Sequence, residues 1–80
     1  MIEVLLFGAA ADRAGTRTVR LDVKEASTLA AIWPLLADRY PDLASMRDTL
    51  AFAVNGEYAK MDGRVEPGDE VAVLPPVSGG

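Results

Sequence analysis

The chain contains neither cysteine nor histidine. Without cysteine there is no disulfide, so the core alone must hold the fold. A zinc site of the usual kind is excluded for want of soft ligands. Ser-His and Cys-His catalytic pairs are excluded as well. No run of basic residues exists: Arg13, Arg17, Arg20, Lys24, Arg39, Arg47, Lys60 and Arg64 are spread thinly. Nucleic acid binding needs a basic stripe to neutralise phosphates, so no nucleic acid partner is expected. No apolar run is long enough to span a membrane, and no membrane partner is expected. The start, MIEVLLFGAA, carries Glu3 and lacks a basic lead-in, which makes it a poor signal peptide. The expected location is the cytoplasm, with which the missing cysteine is compatible.

What is present fits one small folded domain of 80 residues. Half the residues are hydrophobic and 25% are charged. Such a composition predicts a folded chain with a modest core. Acidic residues outnumber basic ones, 12 to 8, for a net charge of −4. An acidic surface suits a basic partner or none.

Residues 1–7 read as a strand, with Ile2, Val4 and Leu6 on one face and Glu3, Leu5 and Phe7 on the other. Residues 8–16, GAAADRAGT, read as a connection with glycine near both ends. Residues 18–23 alternate as a half-buried strand, with Val19, Leu21 and Val23 inward, paired with the first. Next, Leu29, Ile32, Trp33, Leu36 and Tyr40 share one helical face. Ser27 or Thr28 can cap that helix. Pro34 lies inside the pattern. A helix beginning near Trp33 would take it in its first turn. The unbroken apolar face favours a start near residue 28, with a defect at Pro34 and an end at Tyr40-Pro41. Residues 42–50 suit a second helical turn with Leu43, Met46 and Leu50 inward. Residues 51–54 read as a strand, Asn55-Gly56 as a tight turn, and 57–60 as a short strand. Glu66-Pro67-Gly68-Asp69 has the type II turn pattern, and residues 70–74 form the last strand. Pro75 and Pro76 then stop sheet pairing. The expected fold is α+β: a mixed sheet with one main helix on one face.

Strand parity has a consequence. If Ile2, Val4, Leu6, Val71 and Val73 face the helix, then Leu5, Phe7, Ala72 and Leu74 face away. The far side of the sheet then carries an apolar patch where the chain leaves it. Scattered apolar residues are ordinary on any surface. Four that cluster point to a partner interface.

No catalytic set emerges. The carboxylate pairs Asp69-Glu70 and Asp38 with Asp42 read as solvated charges. GAAADRAG lacks the lysine of a P-loop and the spacing of a dinucleotide fingerprint. Ser27, Ser45 and Ser78 have no histidine base. No metal site and no bound cofactor are expected. The end of the sequence, Ser78-Gly79-Gly80, remains. It reads either as a frayed end or as a slim arm able to thread another protein's active site. Pro75 and Pro76 would stiffen its root.

Taken together, MIEVLLFG, the Ala-rich connection ending AGT, AVNGE and VEPGDEVAVLPPVSGG span nearly the whole chain. This set resembles the MoaD/ThiS family of ubiquitin-like sulfur carriers, in its molybdopterin synthase small-subunit form. The resemblance implies a β-grasp domain over 1–76 and a flexible tail over 77–80. It implies that an E1-like adenylyltransferase uses ATP to activate the carboxylate of Gly80. A sulfur donor, such as a cysteine desulfurase or rhodanese-like protein, would then leave a thiocarboxylate. Val77, Ser78 and Gly79 would thread into the large subunit of molybdopterin synthase, in a heterotetramer. That subunit would hold the active site in which cyclic pyranopterin monophosphate becomes molybdopterin. Phe7, Tyr58, Leu74, Pro75 and Pro76 would meet the partner. Departures from the pattern are Val73-Leu74, where an aromatic pair is common, and Pro34. Rival readings are a carrier for thiamine thiazole or tRNA thiolation, a ubiquitin-like protein modifier, and a plain interaction module. Thiazole carriers tend to be shorter and to lack the PP-V-x-G-G close.

Overall fold

The structure, a computed structural model, describes residues 1–75. Pro76, Val77, Ser78, Gly79 and Gly80 lie outside the described residues, as does the expected domain boundary after residue 76.

Seven strands are described: β1 (Ile2–Leu6), β2 (Thr18–Leu21), β3 (Ser27–Thr28), β4 (Ala51–Val54), β5 (Glu57–Ala59), β6 (Arg64–Val65) and β7 (Glu70–Leu74). The helices are α1 (Gly8–Ala14), α2 (Leu29–Arg39) and a 3₁₀ helix, Pro41–Thr49. Five strands form one sheet in the order β2-β1-β7-β4-β5. The central pair, β1 and β7, is parallel, and the remaining neighbours are antiparallel. A mixed sheet with its parallel pair at the centre and helices packed on one face is the ubiquitin-like β-grasp.

Parity builds the core as expected. Ile2, Val4, Leu6, Val71 and Val73 are buried on the helix side. They meet Leu29, Ile32, Trp33 and Leu36 of α2, and Leu43 and Met46 of the 3₁₀ helix. Trp33 and Phe52 pack edge to face, with centroids 5.6 Å apart. No polar or charged residue is buried among the described residues.

α2 runs unbroken from Leu29 through Pro34. Proline has no N–H, so the Ala30 carbonyl loses its helical donor. Apolar packing on the opposite side holds the helix across that defect. At its start, Leu29 N–H donates to Gly63 O (3.0 Å) and Ala30 N–H to Met61 O (2.8 Å). Ala31 N–H donates to Thr28 Oγ1 (3.2 Å). The donors a free helix end would offer are therefore taken by the chain itself.

Two expectations need correction. Residues 8–14 are not a plain connection but helix α1. Alanine favours helix, and Ala10 is buried while Ala11 and Ala14 pack against the core. Gly15 closes α1 in the left-handed region (φ 74°), donating to Ala11 O at 2.8 Å. Pairing of β1 with β2 survives, with a helix inserted between them. The second correction is β3 with β6, an antiparallel pair of two-residue strands. Neither stretch is long enough to show alternation.

Candidate functional site

The far side of the sheet is assembled by strand register. Leu5 of β1 lies beside Ala72 of β7, Ala72 beside Ala53 of β4, and Ala53 beside Tyr58 of β5. These four residues make one apolar row across four strands. One pleat further, Leu74 lies beside Ala51. Phe7 follows β1 there, its N–H donating to Val73 O at 3.1 Å. Ala53 is buried yet stands apart from the main core cluster, as its place on the opposite face requires. Small alanines at the centre make a shallow floor. Tyr58, 75% exposed, and Phe7, 44% exposed, stand at its margins.

This surface unites Phe7, Tyr58 and Leu74, three of the residues expected to meet a partner. Pro75 is half-buried at its edge. The remaining expected residues, Pro76, Val77, Ser78, Gly79 and Gly80, lie outside the described residues. Ala51 and Ala53 escaped sequence reasoning. Their alternation with Phe52 and Val54 was visible, but only strand order shows that they adjoin Leu74 and Ala72.

Gly8 shapes the point at which the chain leaves β7. Its φ is +56°, and a Cβ there would lie 3.1 Å from Cγ of Pro75. A larger residue would press on the ring and sit in a strained backbone region. Glycine at this position lets Pro75 pack directly on the start of α1. Beside it, a groove of about 480 Å³ opens between β1 and α1, with Phe7, Gly8, Asp12 and Arg17 in its wall.

The opposite end of the same face is charged. Glu3 lies beside Glu70 on one side and Arg20 on the other. Behind this row sits a hydrogen-bonded clip. Asn55 Nδ2 donates to Asp69 Oδ1 (3.0 Å), and Glu66 N–H donates to Asp69 Oδ2 (2.9 Å). Glu70 N–H donates to Asn55 Oδ1 (2.9 Å). These two donors hold the Asp69 carboxyl below its ordinary range, the Glu66 backbone contributing more than Asn55. Asn55 occupies the left-handed region (φ 51°), as its tight turn demands. The clip joins the β4–β5 turn to the turn before β7, so β7 begins from a fixed position.

Among the described residues, no group of three or more His, Cys, Asp or Glu could hold a metal ion. No helix there is long and apolar enough to cross a membrane.

Comparison with known proteins agrees with this geometry. The ThiS family profile matches residues 4–80. The human molybdopterin synthase sulfur carrier subunit is 37% identical, the match covering 99% of this chain and 93% of that protein. Small archaeal modifier protein 1 of Haloferax volcanii is 37% identical, over 99% of this chain and 100% of its own length. The crystal structure of SAMP1 from Haloferax volcanii superposes with a TM-score of 0.87 at 37% identity, covering 99% of this chain and 98% of that one.

Proposed function

The chain belongs to the ThiS family, and from that premise we propose that it is the sulfur carrier subunit of a molybdopterin synthase. One observation carries the reading. β7, flanked by β1 and β4, leads out of the sheet at the apolar end of an open face. A partner seated on Leu5, Phe7, Tyr58, Ala72 and Leu74 therefore receives the chain beyond Pro75 at its own surface.

The chemistry belongs to the terminal carboxylate of Gly80. A carboxylate is a poor electrophile. An E1-like enzyme joins it to AMP from ATP and releases pyrophosphate. A persulfide on a cysteine of a desulfurase or rhodanese-like donor then attacks the acyl carbon through its terminal sulfur and displaces AMP. A second thiol cleaves the resulting acyl disulfide, freeing the thiocarboxylate and leaving the donor cysteine in a disulfide. Glycine at positions 79 and 80 has no side chain to crowd the carbonyl or a narrow channel. The large synthase subunit takes the arm Val77-Ser78-Gly79 and passes sulfur to cyclic pyranopterin monophosphate. The carrier itself supplies no general base and binds no cofactor.

Identity of 37% to the Haloferax small archaeal modifier favours a second reading, a modifier joined through Gly80 to lysines of other proteins. Mass spectrometry on the protein from its native host separates the two. A single oxygen-to-sulfur exchange at Gly80 is expected of the carrier, and isopeptide branches on other proteins of the modifier. Absence of the exchange, even with an E1-like enzyme, ATP and a sulfur donor supplied, would sink the carrier reading. Deleting Gly80 is expected to abolish sulfur transfer and leave the urea midpoint unchanged.

A further inference from the structure

Glu3 and Glu70 are directly opposed on neighbouring strands. Like charges in this relation repel and destabilise a sheet. Relief within the chain is slight. Arg20 Nε approaches Glu3 Oε2 only to 3.9 Å, and both side chains are well exposed. Glu70 forms no salt bridge among the described residues. Asp69 is already engaged through both carboxylate oxygens. Glu3, Arg20, Asp69 and Glu70 line a shallow depression of about 390 Å³. The two strands are hydrogen-bonded to each other, and Asn55 holds the Glu70 backbone. The carboxylates therefore project from a rigid support.

Position gives the pair its meaning. Residues 3, 5 and 7 share a face, as do 70, 72 and 74. Glu3 and Glu70 stand one pleat from Leu5 and Ala72, on the same side of the sheet. A partner that covers the apolar row must also cover, or closely border, both carboxylates. Removing them from water without counter-charge is strongly unfavourable. A metal ion does not answer the need, since no metal-holding group of three exists among the described residues.

We propose that the partner seated on this face brings an arginine guanidinium to the Glu3–Glu70 pair. The inference rests on the reading above, in which the large synthase subunit covers the sheet. A guanidinium fits because its planar fork carries five N–H donors and can bond two carboxylates at once. The pair then selects among partners. An apolar surface lacking the cation would bury two repelling charges, while a matching one would relieve them.

The test is titration calorimetry of this chain against the purified large subunit of its own host, at low and high salt. The Glu3→Gln/Glu70→Gln double variant is expected to bind roughly tenfold more weakly or worse, with most of the salt dependence gone. Its thermal midpoint should equal or exceed that of the wild type, because the repulsion is removed. Leu74→Asp is run beside it. If Leu74→Asp abolishes binding and the double variant keeps its affinity and salt dependence, the guanidinium inference is overturned and docking on the face stands. If Leu74→Asp also binds undiminished, or the wild type does not bind, the docking reading fails and the inference falls with it.

Discussion

Asp69 accepts hydrogen bonds from Glu66 N–H and Asn55 Nδ2, and these hold its carboxyl in the folded chain below the usual aspartate range. The unfolded chain therefore binds a proton at this residue more readily than the folded one. Its contribution to stability is fully present above the unfolded pKa and is lost as pH falls through the folded value. An Asp69→Asn variant is expected to show a shallower loss of stability between pH 5 and pH 2 than the wild type, on the order of one titrating group. Urea unfolding at several pH values checks it, and parallel curves would remove Asp69 from the account. Gly63 is closely hemmed in by its own loop. A Cβ there would lie 2.9 Å from both Ala59 Cβ and Lys60 O. The Gly63 carbonyl also caps α2 through Leu29 N–H. Gly63→Ala is expected to destabilise by about 1–3 kcal/mol, because the loop must move. Chemical denaturation measures this, and an unchanged midpoint would show the loop to be more yielding than its contacts imply.

Elements differ in how plainly the sequence announces them. α2 carries its apolar residues at helical spacing, so its face is legible despite Pro34. Pro34 itself is exposed, and its defect is confined to the backbone. Pro34→Ala restores the N–H that the Ala30 carbonyl lacks and removes the ring's clash with that carbonyl. The gain is expected to be about 1–2 kcal/mol, since the freer unfolded chain offsets part of it. A urea midpoint that does not rise would mean that the helix has adapted to the ring. α1 was not legible for a different reason. The stretch 9–14 between Gly8 and Gly15, with alanine as the sole apolar type, carries no pattern of large side chains. Its helicity depends on Ala10 finding the core, which is tertiary information. β3 and β6 are two residues each and too short for any periodicity to register. Leu5, Phe7, Ala72 and Leu74 could be placed outward by parity within their own strands. Ala53 and Tyr58 join them only through the neighbour order β7-β4-β5. Tyr58 was expected at the interface from the family resemblance, not from parity.

At the scale of the whole molecule, the sheet separates two tasks. The helix side holds the fold together, and the open side is left for a partner. The salt bridges add little to the first task, because their side chains are all substantially exposed. Stability therefore resides in the apolar layer between sheet and helices. In a domain this small, one buried leucine is a large share of the margin. Leu36, 2% exposed, packs in that layer. Leu36→Ala is expected to destabilise by about 2–5 kcal/mol. Affinity of the molecules that remain folded for the large subunit should be unaltered. Phe7→Asp on the open face should do the reverse. Its side chain already borders water, so the charge is tolerated in the free protein while a covered interface rejects it. The expected result is a urea midpoint close to wild type with binding weakened by two orders of magnitude, a rough figure for a charge buried without a partner. Calorimetry and urea unfolding on both variants give a crossed pair of outcomes. Should Leu36→Ala weaken binding while folded, or Phe7→Asp unfold the domain, the two faces would not be the independent surfaces described here.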